Sequence, residues 1–192
     1  MDIDIDVKDN KHIKELLKEY MVSASMIEDD ELKSHPVGIY LQNIPKDALT
    51  GLSAIPYTEA ENLGYTKIDI LNLKLLDIFE SRKELEDCIE MEPDWNILKN
   101  EYIVSKLFHI SKHFDVVNKV KPSCIEDLAD ILALIRPNKR DLLPEYLKDK
   151  YSTRKVLYEK NEASDLRKSH AISYAMNIVL QMNLLRMEKL NV

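Results

Sequence analysis

Glycine is almost absent from this chain: there are three among 192 residues, Gly38, Gly51 and Gly64, and none from Tyr65 onward. Turns and short strands therefore belong to the first third, where Pro36, Pro45 and Pro56 also fall. The remainder reads as mainly helical, punctuated by Pro93, Pro122, Pro137 and Pro144. Cysteine is equally scarce. Cys88 and Cys124 have no CxxC spacing and no ligand pattern around them, so they read as reduced, partly buried thiols without a chemical role. The N-terminus has neither a basic leader nor an apolar run, which argues against a secretory signal, and no stretch approaches the length of a membrane span. A cytoplasmic location and no membrane partner are the expectations. Net positive charge is missing too: 27 basic against 34 acidic side chains leave a formal charge of −7, which disfavours general affinity for nucleic acid.

A nucleic-acid role then needs charges segregated along the chain, and they are. Acids concentrate at the N-terminus and between Asp77 and Asp94, whereas bases recur at Lys99, Lys106, Lys112, Lys119 and Lys121, and again from Arg136 to Lys160. Solvated helix faces are the commonest source of such runs. With 45% hydrophobic and 32% charged residues, the length supports one sizeable core, or one core with an appended lobe.

The N-terminus carries carboxylates at strict two-residue spacing: Met1-Asp2-Ile3-Asp4-Ile5-Asp6-Val7. In an extended strand Asp2, Asp4 and Asp6 share one face and Ile3, Ile5 and Val7 the other. Crowded like charges cost energy unless a cation sits among them. A second short run, Lys67-Ile68-Asp69-Ile70-Leu71, brings a further carboxylate. If Asp69 lies on a neighbouring strand, the cluster suits divalent metals with oxygen-only ligands, the arrangement used to move phosphoryl groups. The same alternation also describes any half-exposed strand.

Local patterns place strands at residues 37–41 and 67–71, with an edge piece at 54–57. Helical spacing marks 11–21, 72–89, 95–108 and 113–120. Ser123 with Glu126 three residues later reads as a capping box that starts a helix running to Ile135. A long final helix begins after Ser164 or Ser169, with Ala171, Tyr174, Ile178, Met182 and Leu185 on one stripe. Trp95 reads as a packing anchor and His35 as a hydrogen-bonded structural residue. His109 and His113 stand four apart, a zinc-compatible spacing on a helix face, but no third ligand accompanies them.

These blocks together resemble a family. Asp2-Ile3-Asp4-Ile5-Asp6, Ser34-His35-Pro36-Val37-Gly38-Ile39 and Lys67-Ile68-Asp69-Ile70-Leu71-Asn72-Leu73-Lys74 are similar to the palm of bacterial C-family replicative DNA polymerases, the polymerase III α subunit. Lys121-Pro122-Ser123 with Glu126-Asp127-Leu128, Ala133-Leu134-Ile135-Arg136-Pro137, and Lys168-Ser169-His170-Ala171 with Tyr174 resemble that family's fingers, in the family's order.

The resemblance implies an α+β fold. A small mixed-sheet, nucleotidyltransferase-like palm spans 1–76 with a reduced thumb insertion at about 8–33, and a helical fingers-like half spans 77–192 and ends in a long helix. It implies Asp4, Asp6 and Asp69 as catalytic carboxylates holding two Mg²⁺ ions, or Mn²⁺, with Asp2 as a flank. Lys67 would pair with a carboxylate or reach a phosphate; Arg136, Lys168 and His170 would meet the incoming nucleotide's phosphates. A glutamine stands near the position of His109 in the family, which implies a substrate-strand contact there. Primer-template DNA and a deoxynucleotide would be the substrates and a replisome protein a partner. The expectation is that the family's Gly-Ser segment ahead of the aspartates and most of its thumb are without a counterpart in this chain. Two expectations therefore stand side by side: a minimal nucleotidyltransferase, or an idle palm and fingers remnant acting as decoy, inhibitor or adaptor.

Overall fold

The computed structural model describes residues 2–159 and 165–190, and for Asp2 the backbone alone. The chain divides into two compact units, Met1–Ile78 and Phe79–Val192.

The first unit carries a four-stranded mixed sheet in the order β1-β4-β3-β2. Strand β1 is Asp2–Val7, β2 Val22–Glu28, β3 Glu31–Tyr40 and β4 Lys67–Asn72. β1 and β4 run parallel; β3 is antiparallel to both β4 and β2. Helix α1, Asn10–Leu17, links β1 to β2 and is shorter than the spacing predicts. Asp9 caps it, accepting from the amides of Lys11 and His12. Asn10 fastens α1 to β4, its amide donating to Asn72 Oδ1 at 2.7 Å.

Strand β2 lies within the span read from the sequence only as an insertion with one helix. It forms because Asp29 (φ 54°) and Asp30 (φ 62°) both adopt the left-handed conformation. Glu28 and Glu31 then pair across a two-residue hairpin turn. An Asp-Asp dipeptide is a weaker hairpin signal than Asn-Gly, and β3 is correspondingly longer at its start than expected. The edge piece at 54–57 is a single bridge between Ser25 and Pro56, followed by helix α2, Tyr57–Asn62.

The β2–β3 ladder skips: Ser25 pairs with Ser34 but Ser23 with Ile39, so residues 35–38 bulge out of register. Pro36, which has no amide to donate, sits in this bulge. His35 folds back and its Nδ1 accepts the Gly38 amide at 2.9 Å, the structural role expected of it. A Cβ on Gly38 would stand 2.8 Å from His35 Nδ1 and 3.0 Å from both Ala24 Cβ and Lys67 Cδ. Gly38→Ala is therefore expected to destabilise this unit by about 1–3 kcal/mol through overpacking, read as a lowered urea midpoint.

The second unit is helical among its described residues. The expected helix at 72–89 is divided: β4 continues to Asn72, a 3₁₀ turn follows at Lys74–Ile78 in the first unit, and Ser81 caps helix α3, Arg82–Glu90. The expected helix at 95–108 is also broken. Asp94 caps a 3₁₀ turn, Trp95–Lys99, and Asn100 caps helix α4, Glu101–Val104. In each case a short polar side chain takes backbone amides that a continuous helix would need, a competition that apolar spacing does not register. Helix α5, Phe114–Val120, ends on Lys121 in the left-handed conformation.

Helix α6, Ile125–Leu134, is the centre of this unit: every residue from Asp127 to Leu134 is buried. Its N-cap is Cys124, without a side-chain cap bond, rather than the expected Ser123. Ser123 Oγ and the Ser123 amide lie 3.4 Å from Asp127 Oδ2 instead. The long final helix α9, Lys168–Arg186, packs against α6. Its predicted stripe faces inward, with Ala171, Ile178 and Met182 fully buried. The alternative start after Ser164 lies outside the described residues. Leu107, Leu128, Ile131, Leu132, Ile178 and Met182 anchor the core, and each such buried side chain contributes about 1.5–3 kcal/mol of transfer free energy. Trp95 packs against this core as expected.

Two helices absent from the sequence reading, α7 at Leu143–Lys148 and α8 at Lys150–Leu157, are held to α6 by its buried acids. Asp130 accepts from Tyr146 Oη at 2.6 Å, Tyr158 Oη at 2.7 Å and Arg154 Nε at 2.6 Å. Asp127 accepts from Lys150 Nζ at 2.8 Å and Arg154 Nη2 at 3.1 Å. Both cysteines are free, Cys88 buried and Cys124 half-buried, and burial pushes both thiols up from their ordinary pKa.

Candidate functional site

The parallel register of β1 and β4 sets Asp4 directly opposite Asp69, with Asp2 opposite Lys67 and Asp6 opposite Leu71. Register partners on adjacent strands present side chains to the same face. Asp4 and Asp69 are half-buried; Asp6 is exposed, two residues further along that face. Ile3 and Ile5 on the opposite face are 39% and 42% exposed, so β1 does not bury an apolar side among the described residues.

Lys67 joins the carboxylates. Its stem is buried, and its Nζ lies 2.6 Å from Asp69 Oδ1 and 2.5 Å from Oδ2. The ammonium also sits 5.5 Å over the Tyr57 ring, which meets His35 edge-on. Lys14, on α1, is a basic neighbour that sequence reading missed. Burial lowers its pKa while the negative charge of Asp69 opposes that shift, and its Nζ donates to the Pro36 carbonyl at 2.8 Å. Its signal was its place on a short helix linking the aspartate strand to the rest of the sheet.

As a divalent-ion site these donors fit in kind: Asp4 and Asp69 are oxygen ligands in register on adjacent strands. Among the described residues no group of three or more His, Cys, Asp or Glu side chains lies close enough to hold one ion. Lys67 already occupies both oxygens of Asp69, so an ion at this pair would have to compete with its ammonium.

In the second unit, Arg136 lies just past α6, its amide donating to the Ala133 carbonyl at 3.1 Å. Its Nε is buried and makes no hydrogen bond among the described residues. His109 and His113 do not share a helix face: His109 lies outside the helices with φ 60°, and His113 is the N-cap of α5. Burial, then the positive charge of Arg136, lowers the His109 pKa. Burial lowers that of His113 as well, followed by Arg140, with Arg136 and Lys112 adding to the effect. Arg140, not singled out in the sequence, lies 3.4 Å from His113 Nδ1 and pairs with Asp115 at 2.6 Å. The His109 ring stacks on Tyr174 of α9, centroids 4.7 Å apart. Lys168 and His170 stand in the first turn of α9, Lys168 exposed and His170 half-buried. Helical spacing puts His170 on the same side as Tyr174. Arg136 and Arg140 both lie close enough to His113 for their charges to lower its pKa, and paired guanidinium groups of this kind are suited to phosphate-bearing ligands.

Residues 54–189 match the bacterial DNA polymerase III alpha subunit finger domain. The chain belongs to this family. Lys67, Asp69, Arg136, Lys168 and His170 fall within the matched span; Asp4 and Asp6 precede it. Among individual proteins, the chain is similar to DNA polymerase III subunit alpha of Borreliella burgdorferi. The two are 25% identical over 171 aligned positions, covering 76% of this chain and 15% of that protein. It is likewise similar to DNA polymerase III subunit alpha of Staphylococcus aureus, 28% identical over 147 positions, covering 66% of this chain and 13% of the relative. The chain thus spans about one seventh of the length of the relatives it matches. No described helix is long and apolar enough to cross a membrane.

Proposed function

We propose that this chain is a palm and fingers module of a polymerase III-type DNA polymerase. Asp4, Asp6 and Asp69 serve Mg²⁺-dependent nucleotidyl transfer from a deoxynucleotide to a primer 3′-hydroxyl, in the company of a replisome protein. The observation that carries this reading is the register that sets Asp4 opposite Asp69. Mg²⁺ or Mn²⁺ bound there supplies activation of the attacking hydroxyl and charge stabilisation on the leaving pyrophosphate. The chain's own residues do the rest. Lys67 offsets the charge of Asp69 so that two carboxylates can face one another, and the bulge at His35–Gly38 leaves room for its stem. Arg136, Lys168 and His170 bind the phosphates of the nucleotide, with His109 beside them.

A second reading is favoured by one specific contact: Lys67 Nζ already engages both oxygens of Asp69. On that reading the module binds nucleotide, DNA or a replisome protein without catalysis, as decoy, inhibitor or adaptor. Calorimetric titration of Mn²⁺ and of a deoxynucleotide into the whole chain, beside primer extension, separates the two. For the polymerase module, Asp4→Asn should weaken Mn²⁺ binding by at least about tenfold, the scale of losing even an outer contact to a metal ligand. Arg136→Ala should weaken nucleotide binding and leave the ion's affinity unchanged. Metal-independent nucleotide binding, with no extension even beside a co-purifying partner, selects the non-catalytic reading. Mn²⁺ affinity indifferent to Asp4→Asn removes the site altogether.

A further inference from the structure

The helical unit has a second face, opposite in charge to the Arg136 cluster. Two adjoining clefts of about 900 and 410 Å³, with Glu92 and Pro93 in the walls of both, make up a depression on this face. Its apolar lining includes Met91, Ile125, Met176 and Leu185, with Met176 itself 41% exposed. Its acids are Glu90, Glu92, Asp94, Glu126 and Glu188, all exposed. Against these five stands, among the described residues, a single base, Arg186, whose guanidinium donates to the Glu92 carbonyl at 3.2 Å; no described basic side chain lines the smaller cleft.

We propose that this depression is the docking site of a basic amphipathic helix from a protein partner, a role independent of the polymerase reading. An apolar trough rimmed by carboxylates complements a helix with an apolar stripe flanked by Lys or Arg. The trough is built from helices, turns and loops and offers no strand edge among its lining residues, so the partner binds through side chains rather than by strand addition. Methionines in the wall suit it to a helix face, because their unbranched side chains adapt to the shape laid on them. The rim repels phosphate, which disfavours nucleic acid and anionic lipid as occupants. A symmetric dimer through the same face would set these acids against their own copies.

The test uses the full chain and a labelled synthetic peptide of about five helical turns, with leucines on one stripe and lysines flanking it. Fluorescence anisotropy at physiological salt should show it binding at least about tenfold more tightly than a glutamate-flanked peptide or one with the leucines changed to serine. Met176→Asp, and separately the triple exchange Glu90→Lys, Glu92→Lys and Glu126→Lys, should each remove at least about tenfold of that affinity with the circular dichroism unchanged. Methyl spectra of labelled methionine read the wild type directly, whatever the variants do: Met91 and Met176 should shift and Met21 and Met26 should not. Equal binding of all three peptides overturns the proposal, as do unmoved methionines in the trough. A self-association that Met176→Asp dissolves would assign the face to a second copy instead and also overturns it.

Discussion

Asp130→Ala is expected to destabilise the helical unit by about 3–5 kcal/mol, the range for breaking a buried charged network from one side. Asp130 is 1% exposed and accepts three hydrogen bonds, from two tyrosines and an arginine on α7, α8 and the residue after α8. Removing it strips Arg154 of its better partner and leaves the buried Tyr146 hydroxyl and the half-buried Tyr158 hydroxyl without their acceptor. Asp130→Asn keeps one carbonyl acceptor and should cost less. Urea denaturation of the three proteins checks the order.

The same network dictates how stability responds to pH. Burial alone would raise the Asp127 pKa, but hydrogen bonds from Lys150, Cys124 and Ser123 and the charge of Lys150 hold it below the ordinary value. Its contribution is therefore complete above the unfolded carboxylate's value of about 3.9 and lost as pH falls through the folded value. Tyr146 and Tyr158 are shifted the other way, pushed up by burial and by the adjacent carboxylate of Asp130. The unfolded chain begins to lose these protons near pH ~10 while the folded chain keeps them, so stability should fall above that point. In Asp130→Ala the alkaline loss should shrink, because the carboxylate that opposes tyrosine ionisation is gone.

Asp69→Ala should remove about 3–5 kcal/mol from the sheet unit, for a reason separate from any metal. The Lys67 side chain is 7% exposed and that of Asp69 16%, so deleting the acid strands an ammonium in the protein interior. Lys67→Met with Asp69→Leu should recover most of the loss, since apolar replacement of both partners avoids the unpaired charge. A double-mutant cycle measured by thermal unfolding gives the coupling directly. A lost activity in Asp69→Ala alone would thus report folding as well as chemistry, which makes Asp4→Asn the cleaner functional probe.

Particular residues show how far the chain could be read in one dimension. Alternation placed Asp4 and Asp6 on one face of a strand, because side chains of an extended chain alternate whatever surrounds them. The apolar stripe of α9 was legible for the parallel reason, a helical period over many turns. Strand β2 was not, since its turn rests on two left-handed aspartates that no familiar dipeptide announces. The breaks at Ser81, Asp94 and Asn100 went unseen because capping depends on which amides a side chain takes, not on hydrophobic spacing.

By itself the sequence determined the strand of aspartates, the helical character of the second half and membership of the polymerase III finger family, all properties of local pattern and of motif order. Tertiary structure alone decided that Asp4 faces Asp69, that Lys67 pairs with Asp69, and that Asp127 and Asp130 serve as buried anchors. It also gathered five scattered acids around one apolar trough. The reason is the same in each case: strand register, ion pairing and cleft walls join residues far apart in the chain, and local periodicity carries no record of which distant segment will be opposite.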